Sequence, residues 1–110
     1  MPNLSKETAS NFVLSEIDSA FALNPYPDYK TLREHAPLCE QPDGSYVVTR
    51  YADIKEALGD PDTFSSDKKI DFRPRFGDSP LYEHHTTSIV FNDPPYHTRV
   101  RKLLGPFFAA

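Results

Sequence analysis

The sequence predicts an α+β fold that is mainly helical and contains one short β-hairpin. Apolar residues recur at helical spacing in several short segments, which is typical of amphipathic helices. One stretch instead places β-branched and aromatic residues just after an Asp-Gly dipeptide, which favours a hairpin. The 11 prolines among 110 residues indicate frequent turns, so each element is expected to be short.

The first part of the chain is expected to contain two helices on either side of a proline-rich break. Apolar spacing predicts a helix within residues 12–21, and the break follows at 24–27. A second helix is expected over 29–36. Pro37 stops it, because the residue before a proline is disfavoured in the helical region. Residues 1–10 are polar and are expected to be flexible.

A hairpin and a third helix are predicted next. Asp43-Gly44 separates two strand-like runs, 38–41 and 46–49, as a hairpin turn would. Apolar spacing over 52–58 predicts the third helix. Periodicity then fades over 66–92, which is expected to be a long loop containing about one helical turn. Loops of this length in compact domains are usually functional or disordered.

The last helix carries the most informative pattern. Asp93 is expected to be its N-cap, and the prolines that follow are tolerated in a first turn. His97 and Arg101 lie four residues apart, so they share a face and donate in the same direction. Two such donors, one permanently cationic, suit a carboxylate or phosphate ligand.

The rest of this helix divides into an apolar stripe and a basic face. Thr98, Arg99 and Lys102 are expected to face solvent, opposite the pair described above. Pro106 cannot donate a helical hydrogen bond and crowds the preceding turn, so the helix is expected to kink or stop near Leu104.

The pattern Asp-Pro-Pro-x-His-x-x-x-Arg resembles the start of helix C in soluble bacterial members of the cytochrome P450 superfamily. Other stretches resemble the family in the same order, namely Asn24-Pro25-Tyr26-Pro27, Leu32-Arg33, 46–51 and 60–66. The resemblance implies one incomplete domain over residues 1–110. It would be the N-terminal portion of the cytochrome P450 fold, with helices A and B, a short β-hairpin, the B–C loop over 66–92 and helix C.

The resemblance also implies roles for individual residues. His97 and Arg101 match the positions that bind the propionates of haem b. Arg99 and Lys102 match an exposed basic face that docks an acidic, ferredoxin-type electron donor.

The parent enzyme would be a haem-thiolate monooxygenase. It would insert one oxygen atom from O₂ into a small organic substrate, using electrons from a redoxin. The B–C loop of the family covers the substrate pocket, so His84, Thr87 and Val90 are candidate substrate contacts by position.

The cysteine that ligates haem iron in this family is expected later in a full-length chain. Cys39, the single cysteine, is expected to be a half-buried strand thiol, because a free cysteine usually behaves as a small hydrophobe. The chain is therefore expected to be an N-terminal fragment that is inactive alone and binds haem weakly or not at all.

Composition limits the other classes of function. A net charge of −4 argues against general nucleic-acid binding. One cysteine excludes a disulfide framework and suits a reducing compartment. No apolar run approaches the ~20 residues of a membrane span, and the N-terminus lacks the apolar core of a signal peptide. A cytoplasmic location is expected.

Two alternatives remain open at this point. The chain could be a haem-free interaction domain of the same ancestry, or a phosphate or nucleic-acid binder using the basic cluster at 99–102. His84-His85 is not expected to hold a metal, since adjacent side chains diverge and no third ligand is spaced nearby. No residue of the chain is expected to ligate a metal.

Overall fold

A computed structural model describes residues 4–109. The chain forms two compact units, one ending at Glu56 and the other beginning at Ala57. The α-helices and strands are α1 Ser19–Leu23, α2 Tyr26–His35, β1 Leu38–Glu40, β2 Tyr46–Val48, α3 Tyr51–Gly59, α4 Lys69–Phe76, α5 Pro80–Thr87 and α6 Tyr96–Leu104. This content confirms the predicted class. Among the described residues, no helix has the length and apolar composition that crossing a bilayer requires.

The core of the first unit forms around helix α2. Leu32 is fully buried and Ala36 is nearly so, while Tyr29 packs against them from the same helical face. The ring of Phe21 meets that of Tyr29 edge to face, with centroids 5.5 Å apart. The predicted second helix and its inner face are thus confirmed.

The N-terminal segment makes specific contacts within the first unit. Leu4 donates its backbone N–H to the buried carboxylate of Asp28 at 2.6 Å, and Ala9 lies in the core. Residues 1–3 lie outside the described residues. Local composition does not reveal this partner on α2, and the flexibility of residues 1–10 stays a prediction.

The predicted helix over 12–21 is also wrong. A 3₁₀ turn occupies Leu14–Glu16, and α1 begins only at Ser19. Asp18 caps this start, accepting a hydrogen bond from the Phe21 N–H at 3.0 Å. Phe12 is extended and contributes its ring to the core, so the apolar spacing reflects burial in an irregular segment.

The hairpin confirms its prediction. Strands β1 and β2 are antiparallel, with Leu38 opposite Val48. The Asp43 carboxylate accepts hydrogen bonds from the hydroxyl of Ser45 at 2.6 Å and from its N–H at 2.9 Å, which lowers the pKa of Asp43. Gly44 follows with φ of +81°, a conformation that glycine adopts without strain.

The predicted loop over 66–92 is wrong, since it contains helices α4 and α5. The rings of Phe72, Phe76, His85 and Phe91 pack together and hold these helices to a 3₁₀ turn at Ile89–Phe91. Phe72 lies 5.1 Å from Phe91 and 5.4 Å from His85, measured between ring centroids. Pro74 lies inside α4, and because a proline is unfavourable within a helix, the sequence did not indicate a helix there. Contacts between rings from separate segments stabilise α4.

Helix α6 begins at Tyr96, so Asp93 is not its N-cap as predicted. Pro95 occupies the N-cap position and no side chain caps the helix. An N-cap side chain accepts from the second or third helical N–H. The Asp93 carboxylate makes no such contact, because it accepts from Ser65 and Ser66 instead. At the other end, α6 stops at Leu104 before a 3₁₀ turn at Gly105–Phe107, as Pro106 predicts.

Replacing Leu32 by alanine should strongly destabilise the first unit. The side chain is fully buried, and such truncations cost ~2–5 kcal/mol in unfolding free energy. Leu23→Ala is the matched control, because Leu23 is 86% exposed and its truncation should cost less than ~0.5 kcal/mol. Urea denaturation followed by circular dichroism measures both. Equal losses from the two variants would contradict the described core.

Candidate functional site

A groove of about 620 Å³ lies within the second unit. Its walls are helix α6, the turn at Ile89–Phe91 and the segment from Ala57 to Ser66. We call it the α6 groove. Its volume falls within the ~300–1,000 Å³ typical of small-molecule sites.

His97 and Arg101 both line the α6 groove, so the structure brings together the pair that the sequence spacing indicated. His97 is half-buried and Arg101 is exposed. Within residues 4–109, neither side chain has a hydrogen-bond or ion-pair partner. Their donors therefore remain available to a ligand. Thr98 also lines the groove, which corrects its predicted place on the opposite face.

The opposite wall of the groove is partly apolar. Leu58, Phe64 and Val90 line it, and each is more than half exposed. Apolar side chains on one wall and a cationic donor pair on the other suit an amphipathic ligand that carries carboxylates.

Asp93 connects two of these walls, α6 and the segment from Ala57 to Ser66. Its carboxylate accepts a hydrogen bond from the Ser65 hydroxyl and another from the Ser66 backbone N–H, the latter at 2.7 Å. We call these two hydrogen bonds the Asp93 junction. The Ser65 hydroxyl and then the Ser66 N–H stabilise the charged carboxylate, and they hold the pKa of Asp93 below its usual value.

Sequence reasoning missed the Asp93 junction. It assigned Asp93 to capping, and the serines lie 27 and 28 residues away in sequence. The adjacent hydroxyls of Ser65-Ser66 were the available signal, but nothing local pairs them with Asp93.

The remaining sequence candidates lie in different places. Val90 lines the groove, but His84 and Thr87 do not. His84 is exposed on α5 beside His85, and the Thr87 hydroxyl donates to the Glu83 carbonyl at 2.8 Å. In the part of the chain that the structure describes, no three histidine, cysteine, aspartate or glutamate side chains are grouped as a metal site.

The basic residues Arg99 and Lys102 are exposed and lie outside the groove. The Arg99 guanidinium lies 5.8 Å from the centroid of the Tyr96 ring. These two side chains therefore present positive charge on a surface separate from the His97 and Arg101 pair.

Cys39 lies in β1 of the first unit and is only 3% exposed. Its Sγ lies 3.5 Å from the carbonyl oxygen of Phe12. The strand assignment is confirmed, and the thiol is more deeply buried than predicted. Such packing is that of a small hydrophobe and gives a ligand no access to the sulfur.

Comparisons with known proteins bear on this site. No family model matches the chain. Cytochrome P450 130 of Mycobacterium tuberculosis is 36% identical over 92 residues, which cover 77% of this chain and 22% of that protein. A vitamin D(3) 25-hydroxylase of Pseudonocardia autotrophica is 37% identical over 91 residues, which cover 80% of this chain and 22% of the relative. The chain thus spans about a fifth of these relatives.

The backbone agrees with the sequence matches. The crystal structure of CalO2, which has the cytochrome P450 fold, superposes with a TM-score of 0.73 at 30% identity. The match covers 84% of this chain and 23% of CalO2. Sequence and backbone together identify the chain as an N-terminal segment of the cytochrome P450 superfamily.

Proposed function

We propose that this chain is the N-terminal part of a haem-thiolate monooxygenase, in which His97 and Arg101 bind the propionates of haem b. The whole enzyme would insert one oxygen atom from O₂ into a small organic substrate. Haem held by a cysteine thiolate supplies the oxygen-activating chemistry when it is bound. The observation that carries this proposal is the pair of donors on one wall of the α6 groove that have no side-chain partner among residues 4–109.

The residues present fit a porphyrin edge. Arg101 supplies a permanent positive charge and His97 a second donor one helical turn away, so together they match two neighbouring carboxylates. Neither donor must leave a described protein partner to bind them. The apolar side chains of Leu58 and Phe64 would contact the uncharged part of the same ligand.

Substrate contacts are proposed at His84, Thr87 and Val90. All three belong to the segment that precedes α6. By its position in the sequence, this segment would correspond to the loop over the substrate pocket of cytochrome P450 enzymes. The hydroxylase name of the Pseudonocardia relative supports a hydroxylation reaction and leaves the substrate of this protein unspecified.

Electron transfer is proposed to use the face that carries Arg99 and Lys102. Both side chains are exposed, and positive charge there would attract an acidic ferredoxin-type donor. The single cysteine suits a reducing compartment, and we propose a cytoplasmic location.

The 110-residue chain by itself should not form a thiolate-ligated haem protein. Its single cysteine is Cys39, whose sulfur is buried in the first unit. In an absorption titration with haem, followed by reduction and CO, we expect no thiolate-type band. A thiolate-type band from the isolated chain would overturn the proposal that the iron ligand lies elsewhere.

The propionate role can be measured in a hybrid in which this chain replaces the matching segment of the Mycobacterium tuberculosis relative. His97→Ala or Arg101→Ala should weaken haem retention about tenfold to a hundredfold. Each variant removes a hydrogen bond to a charged group, which is worth ~1.5–3 kcal/mol of binding free energy. A loss of about 1.4 kcal/mol lowers the affinity tenfold. Haem transfer to apomyoglobin gives the affinity.

Arg99→Ala is the matched control for Arg101→Ala, because both arginines are exposed on α6 and only Arg101 lines the groove. Haem retention in this control should equal that of the unaltered hybrid. In the 110-residue chain, His97→Ala and Arg101→Ala should change the unfolding free energy by less than ~0.5 kcal/mol. Equal haem loss from all three variants would count against the propionate assignment.

The redox face predicts a separate kinetic effect. Replacing Arg99 and Lys102 together by alanine should slow reduction of the hybrid by an acidic ferredoxin about tenfold at low salt. The difference should shrink as salt screens the charges. Lys55→Ala is the control, since it removes an exposed positive charge on α3. A salt-independent rate, or the same loss in the control, would contradict docking at this face.

A further inference from the structure

Asp93 contacts both walls of the α6 groove through different atoms. Its backbone carbonyl accepts the His97 N–H at 3.1 Å, which connects it to α6. Its carboxylate accepts from Ser65 and Ser66 in the facing segment. One residue therefore connects the donor pair to the opposite wall.

The neighbouring Asn92 holds the backbone that leads into Asp93. Its side-chain amide donates to the carbonyl of Thr86 at 2.8 Å and to that of Ser88 at 2.6 Å. Lys69 adds a contact from its Nζ to the Asn92 Oδ1 at 3.4 Å. Because residue 92 is fixed on two sides, the Asp93 carboxylate cannot shift far without breaking its own hydrogen bonds.

We propose that Asp93 is a positioning residue for the α6 groove, one that sets the separation between the Phe64–Ser66 wall and the His97 and Arg101 donors. For haem binding this rests on the proposed function, because the separation of the walls decides whether a porphyrin edge reaches both. The role differs from helix capping, since no side chain caps α6.

Protonation provides a direct test of the Asp93 junction. The Ser65 hydroxyl and then the Ser66 N–H lower the pKa of Asp93 most, while Asp67 raises it and Lys69 lowers it by smaller amounts. The folded carboxylate thus binds its proton less tightly than the unfolded one. The junction contributes stability above pH ~3.9, the usual aspartate pKa, and loses it as pH falls through the lower folded pKa.

The first measurement uses NMR on the 110-residue chain. The backbone amide shift of Ser66 should titrate with a midpoint below ~3.9, and the side-chain shifts of His97 and Arg101 should change over the same range. In Asp93→Ala the Ser66 amide should lose protection from hydrogen exchange, and this titration should disappear. Asp93→Asn should restore most of the protection at pH 7, because its carbonyl oxygen still accepts the Ser66 N–H.

Asp71→Ala is the matched control. Asp71 is exposed on the neighbouring helix α4, where it pairs with Lys68 at 3.2 Å, and it does not line the groove. Its loss should leave the Ser66 amide and the His97 and Arg101 shifts unchanged. If Asp93→Ala keeps its helical circular dichroism and still shows native shifts at these three residues, the positioning role is wrong.

Haem retention in the hybrid separates this proposal from the function on which it rests. Asp93→Ala should weaken retention about tenfold, as the loss of outer partners does in other cofactor sites, and Asp93→Asn should weaken it less than threefold. If Asp93→Ala breaks the Asp93 junction but leaves haem retention unchanged, the role of Asp93 in haem positioning is wrong, and the proposed function is unaffected. Unchanged retention in His97→Ala and Arg101→Ala would instead overturn the proposed function.

Discussion

The hydrogen bonds that the Asp93 carboxylate accepts are a central constraint within the second unit. They join the start of α6 to Ser65 and Ser66, two parts of the chain that the whole of α4 and α5 separates in sequence. A carboxylate that accepts two hydrogen bonds is more stable in its charged form than one exposed to water alone. The lowered pKa of Asp93 expresses that preference.

Some basic side chains of the second unit form ion pairs with other residues that the structure describes, whereas His97 and Arg101 do not. Arg73 pairs with Asp78 at 2.7 Å, and Lys69 pairs with Asp67 at the same distance. His97 and Arg101 have no such partner within residues 4–109, although the chain carries an excess of acidic residues. The acidic groups that form ion pairs in this part of the chain thus engage other cations, and the two donors of the groove remain available to a ligand.

The two units are stabilised by different means. The first has an aliphatic and aromatic core around Leu32, to which the N-terminal segment contributes Ala9 and Phe12. The second relies on ring contacts between Phe72, His85 and Phe91, together with the polar contacts of Asn92 and Asp93. A positioned groove can therefore form with little fully buried surface, and much of its apolar lining remains exposed. In the related proteins, about four fifths of the chain lies outside the matched segment.

The sequence by itself determined the elements whose signals are local. Helix α2, the hairpin around Gly44 and the end of α6 before Pro106 follow from proline, glycine and apolar spacing, because each rule concerns residues within one or two turns. The i, i+4 spacing of His97 and Arg101 placed both on one face for the same reason. Only the tertiary structure decided the rest. Helices α4 and α5 depend on ring contacts between separate segments, and Asp93 meets Ser65 and Ser66 across more than 25 residues, a pairing that exists only once the intervening chain has folded.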